Sequence, residues 1–138
     1  MTQVFEEQLD KYGSFAYTTK GVSMMPLLRQ GRDVVTIVKK TGRLKPMDVA
    51  LYRRNGQYVL HRVIRVTDDG YLIRGDNTYV MENIKEQQVI GVMDAIARKG
   101  RRIKCSDWSY RVYSRLWNAT FLVRHLAVGT KRKLRRLL

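Results

Sequence analysis

Two apolar-rich runs, 48–53 and 57–66, meet at Asn55-Gly56, and this junction narrows the possible folds more than any other stretch of the chain. Asn and Gly both tolerate positive φ, which a two-residue hairpin turn requires, so the runs read as antiparallel partners. Alternation along the second strand places Tyr58, Leu60, Arg62, Ile64 and Val66 on one face, with Val59, His61, Val63 and Arg65 on the other. Further runs repeat the signal. Residues 15–19 have strand-like composition, and 34–38 follow the turn Gly31-Arg32-Asp33. Residues 71–74 follow Asp68-Asp69-Gly70, and 89–97 form a last strand with a kink or bulge expected at Gly91. Short strands with hairpin spacing imply a mainly β, antiparallel domain.

Helices are expected at both ends. Thr2 to Lys11 reads as a short helix with Val4, Phe5, Leu9 and Tyr12 inward, stopped by Gly13. Asp107 is placed to cap a longer helix that runs to about Val128, before Gly129. On a helical wheel Trp108, Val112, Leu116, Ala119, Val123 and Leu126 share one arc, widened by Tyr110, Tyr113, Trp117 and Phe121. Arg111, Ser114, Arg115, Asn118 and His125 form a polar stripe. The chain thus divides into an N-terminal helix (1–14), a β domain (15–97) and a helical C-terminal extension (98–138).

Charge follows the same division. Residues 98–138 hold 13 Lys/Arg against the single acid Asp107, whereas 1–97 hold 14 basic groups against 11 acidic ones. The β domain is nearly balanced, and the basic excess belongs to the extension. Cys105 is the only cysteine, so no internal disulfide can form, which agrees with a reducing compartment. The N-terminus lacks the basic and apolar regions of a secretory signal, and the longest apolar stretch, 116–128, is interrupted by Asn118, Arg124 and His125. A cytoplasmic protein is expected, with peripheral attachment to the inner face of a membrane left open.

Candidate chemistry begins at Lys20-Gly21-Val22-Ser23-Met24-Met25-Pro26. Pro26 fixes its own φ and restrains Met25, so Ser23 sits on a stiff turn. A hydroxyl there is either a turn-former or a nucleophile, and as a nucleophile it needs a base. His61, within an apolar strand, is the candidate base; His125 reads as a solvated or packing residue. Asp76, in Gly75-Asp76-Asn77, and Glu82, six residues on, are the acids available to orient an imidazole. Taken singly, each of these residues has an ordinary structural role.

Together they resemble a known pattern. Gly21 to Pro26 is similar to the Ser-Met-x-Pro box of the signal peptidase I superfamily, which includes LexA-type autoproteolytic domains. Gly31-Arg32-Asp33-Val34-Val35, Met47-Asp48-Val49, Leu60-His61-Arg62-Val63 and Arg74-Gly75-Asp76-Asn77 follow in that superfamily's order, so the resemblance covers about residues 15–97. Histidine at 61 points to the Ser-His branch shared by SipW-like, archaeal and endoplasmic-reticulum enzymes. The resemblance implies a coiled antiparallel sheet or partial barrel, with Ser23 as nucleophile and His61 as general base. Either Glu82 or Asp76 would complete a triad. It further implies a peptide bound as an added strand near Val22, Met24, Val59 and Leu60, with no metal or cofactor. Gly21 stands where the bacterial type has an oxyanion-binding serine, so the oxyanion would rest mainly on the Ser23 amide.

Three readings are open for the extension: a helix covering the sheet, an interfacial helix on anionic lipid, or a nucleic-acid-binding arm, the last without a visible base-reading module. For the whole chain the leading expectation is a Ser-His endopeptidase that cleaves a cytosolic precursor or leader peptide. A regulator that cleaves itself or a partner, and a non-catalytic module on membrane or nucleic acid, are the alternatives.

Overall fold

A computed structural model describes residues 4–127. Helix α1 (Val4–Tyr12) precedes strands β1 (Ser14–Tyr17), β2 (Asp33–Lys39), β3 (Val49–Arg54), β4 (Gln57–Val66), β5 (Gly70–Arg74) and β6 (Glu82–Lys85). Then come β7 (Val89–Arg98), β8 (Arg101–Lys104) and helix α2 (Trp108–Ala119), with a further helical stretch at 121–127. All strand pairs are antiparallel, in the order β1-β2-β7-β3-β4-β5-β6, with β8 also paired to β7. The sheet does not close. The mainly β, coiled-sheet expectation is met.

The hairpin forms as its turn dictates. Asn55 and Gly56 take φ of 51° and 78°, Arg54 faces Gln57, and the register carries through to Val49 opposite Arg62. β3 is the spine of the molecule, because both of its faces are covered. Val49 and Leu51 enter one apolar cluster with Leu9, Leu28 and Ile37; Ala50 and Tyr52 enter the other with Val63, Tyr71 and Ile73. Register slips coil the sheet. Ile64 is the extra residue of β4 against β5, Asp94 that of β7 against β2, and Ile90, beside the expected Gly91, that of β7 against β3.

Several expectations need correction. In α1 only Leu9 is buried, and Phe5 stacks on Phe15 with ring centroids 4.6 Å apart, whereas Val4 and Tyr12 face solvent. Alternation along β4 holds up to the Ile64 bulge, and because both faces are covered there Arg62 and Val63 are both buried, on opposite sides. The extension is not helical from 98: β7 runs through Arg98 and turns into β8. Asp107 precedes α2, but its Oδ2 accepts the Lys104 amide at 2.9 Å and caps no helix amide. The apolar arc of α2 points outward, while Tyr110 and Ser114 are the buried pair. Residues 128–138 of the extension lie outside the described part.

Candidate active site

Ser23 sits on a turn pinned from below. Met24, Leu27 and Leu28 are buried, and the Leu28 amide donates to the Met24 carbonyl at 2.9 Å. Gly21 enters the turn at φ +78°, a conformation that strains any side chain, so the serine found there in the bacterial type would not suit this backbone. On the far side, Asn77 donates from its amide to the Ser23 carbonyl at 2.8 Å, and from Nδ2 to the Val22 carbonyl at 3.0 Å. Gly75 makes this approach possible. A Cβ there would lie 2.6 Å from the Ser23 carbonyl oxygen and 3.0 Å from His61 Nε2.

His61 comes from β4, opposite Ala50 on β3. Its Nε2 lies 3.1 Å from Ser23 Oγ. Its Nδ1 lies 3.3 Å from the Tyr52 hydroxyl, which in turn donates to Glu82 Oε1. Arg54 clamps both oxygens of Glu82 at 2.9 and 3.1 Å. Glu82 thus reaches the imidazole only through Tyr52. Burial dominates at His61 and lowers its pKa, against the raising pull of Glu82 and Asp76. Burial also acts to raise Glu82, but the hydrogen bonds from Tyr52 and Arg54 outweigh it and hold the carboxyl below its usual range. The Tyr52 phenol is pushed up by burial and by its bond to Glu82.

Asp76 faces elsewhere. It is almost fully buried and receives Arg62 in a two-pronged ion pair, at 2.7 and 2.9 Å, with the Tyr113 hydroxyl at 3.1 Å. Its carbonyl accepts Trp117 Nε1 at 2.8 Å and Arg124 at 3.1 Å. The C-terminal helical segment therefore braces the turn that supports Ser23.

A cleft of about 820 Å³ opens beside Ser23 and His61, between residues 16–21 and 57–61. Of the expected contact residues, Met24, Val59 and Leu60 line it, with Met24 and Leu60 mostly buried beneath; Val22 projects to solvent outside the lining. β5 pairs with β4 only from Arg62 onward, so along 57–61 β4 pairs with β3 alone among the described strands.

Sequence reasoning missed Tyr52, Arg54 and the Arg62–Asp76 pair. The hairpin register held the signal for the first. Counting back from Asn55-Gly56 sets Ala50 opposite His61, and Tyr52 is then the diagonal neighbour on the same face. His125 is exposed, stacks on Phe121 and meets Tyr79 at a tilt.

The mainly β, unclosed antiparallel sheet agrees with the LexA and signal-peptidase-like superfamily. Within it, the Peptidase S24-like family model matches residues 2–94, and the chain belongs to that family. Membership supports a serine peptidase or a LexA-like self-cleaving protein. No curated protein matches the chain.

Proposed function

We propose that the chain is a serine endopeptidase in which Ser23 attacks and His61 acts as general base. The observation that carries this reading is the 3.1 Å approach of His61 Nε2 to Ser23 Oγ at the mouth of an open cleft. Proton bookkeeping supports it. Tyr52 gives its only proton to Glu82, which leaves the phenol oxygen to accept from His61 Nδ1–H. Nε2 then presents a lone pair to the serine hydroxyl. Burial keeps the imidazole neutral at neutral pH, as a base must be.

In this mechanism a substrate segment lies in the cleft as an added strand along the open edge of β4, held by main-chain hydrogen bonds. Ser23 Oγ bonds to the scissile carbonyl carbon as its proton passes to Nε2. The tetrahedral oxyanion is met by the Ser23 amide, and collapse expels the amine, which takes the proton from His61. Water, deprotonated by His61, then attacks the acyl carbon, and the Ser23 oxygen leaves, taking the proton back from His61 as the acid product is released. Glu82 acts through Tyr52, and Asp76 holds the Gly75–Asn77 turn in place. A precursor or leader peptide is the substrate class we assign.

Labelling by a fluorophosphonate probe tests the proposal: the native chain is expected to react, and Ser23→Ala and His61→Ala are not. Labelling that survives Ser23→Ala would place the nucleophile elsewhere. Family membership also favours a second reading, self-cleavage. Mass spectrometry of the purified chain over time separates the two, because a peptidase acting on other chains stays intact.

A further inference from the structure

The C-terminal helix has its two faces the opposite way round from an ordinary packing helix. Trp108 is 79% exposed, Val112 45%, Leu116 62%, Leu122 68%, Val123 68% and Leu126 66%. Helical hydrogen bonds continue across the break at Thr120, from its amide to Leu116 at 3.1 Å and from the Arg124 amide to Thr120 at 3.0 Å. At about 100° per residue, Trp108, Val112, Leu116, Val123 and Leu126 then fall on one stripe, with Leu122 just across its arginine border. The stripe cannot turn inward, because the opposite face is already committed. Tyr110 and Ser114 are buried against the sheet, and Tyr113, Trp117 and Arg124 hold Asp76.

Charge selects what covers the stripe. Arg111 and Arg115 lie exposed beside it, and Arg101, Arg102 and Lys104 are exposed on β8 just before it. The sequence continues with Lys131, Arg132, Lys133, Arg135 and Arg136. We propose that this face lies on an anionic bilayer surface, with Trp108 and the aliphatic side chains at the headgroup–acyl boundary and the arginines against anionic headgroups. A second copy would bring two such positive surfaces together. Nucleic acid would satisfy the arginines but leave the aliphatic stripe in water. Among the described residues no helix is long and apolar enough to cross a membrane, so the helix lies on the surface. This inference does not rest on the peptidase reading.

Vesicle sedimentation of the full chain tests it, with phosphatidylcholine alone against phosphatidylcholine mixed with phosphatidylglycerol. The native chain is expected to bind only the anionic vesicles, less so as salt rises, with a blue shift of tryptophan emission. The neutral double variant Leu116→Gln/Val123→Gln lowers binding by about tenfold or more while the thermal melt and probe labelling stay unchanged. Trp108→Phe keeps binding but loses most of the blue shift, since Trp117 is already stacked on Tyr113 and covered by Arg124. The proposal is overturned by absence of binding to anionic vesicles, or by binding that the double variant leaves intact. A native dimer that the double variant dissolves, or binding to duplex DNA that needs Leu116 and Val123, would also overturn it.

Discussion

Between Glu82 and His61 stands one phenol, and its single proton orders the polarity of every group behind it. Removing the hydroxyl while keeping the ring separates orientation from packing. Tyr52→Phe is expected to lower the labelling rate by roughly 10–100-fold, with little change in stability, because the imidazole loses the acceptor that fixes its tautomer. Stopped-flow labelling against thermal melts checks this; an unchanged rate would sink the relay. The pH profile is the second test at this scale. Burial holds the His61 pKa below its ordinary value, so the rate should rise with pH about a midpoint below that of a free histidine. Glu82 stabilises the imidazolium and pulls that midpoint up, whereas burial and Arg54 pull it down. In Glu82→Gln only the lowering influences of these three remain, so the midpoint moves to lower pH while the plateau rate falls. A shift to higher pH would contradict the arrangement.

Elements meet at the serine turn, and two residues set how closely. Gly75 lets the end of β5 approach; in Gly75→Ala the new methyl would press on the Ser23 carbonyl and His61 Nε2. Labelling should fall by about 10²-fold, with the melt lowered as well, because the atom the methyl meets is a backbone carbonyl that must shift. At the turn's exit, Asp33 is buried beneath Arg32 and Arg98, and both arginines also reach the Leu27 carbonyl, at 3.2 and 2.5 Å. Burial works against the charged carboxylate, but Arg98 and Arg32 prevail and bring its pKa down to about 2. A carboxylate whose folded pKa is depressed stabilises above the unfolded value and loses that contribution as pH falls through the folded one. Asp33→Asn should therefore cost about 2–3 kcal/mol at pH 7, near the low end for a buried pair because both arginines stay partly hydrated. The gap from the native chain should shrink between about pH 4 and 2, as urea titrations would show. Legibility in the sequence divides along the same elements. β2, β3, β4, β5 and β7 were readable because β-branched runs and turn dipeptides mark them. β6 and β8, Glu82–Lys85 and Arg101–Lys104, are short charged strands whose pairing depends on tertiary neighbours. Ser23 and His61 could be singled out in the sequence, but only the register of the hairpin brings Tyr52 to the imidazole.

Over the whole molecule, Asp76 is where the sheet, the serine turn and the C-terminal helix join. The wheel of α2 could not show this. A helix is expected to turn its aliphatic side inward, and here the inward side is built from Tyr113, Trp117 and Arg124 reaching a buried aspartate and its carbonyl. That geometry separates a structural Asp76 from a catalytic one. Asp76→Leu alone strands the Arg62 guanidinium in the interior and should cost about 3–5 kcal/mol. Replacing both partners, as Arg62→Met/Asp76→Leu, removes the stranded charge, and stability should return to within about 1–2 kcal/mol of the native chain. If Asp76 serves only to hold the Gly75–Asn77 turn, probe labelling returns together with the melt. A double variant that regains its stability but stays unlabelled would show that the carboxylate acts on His61 itself, and the path through Tyr52 would lose its claim as the connection to an acid.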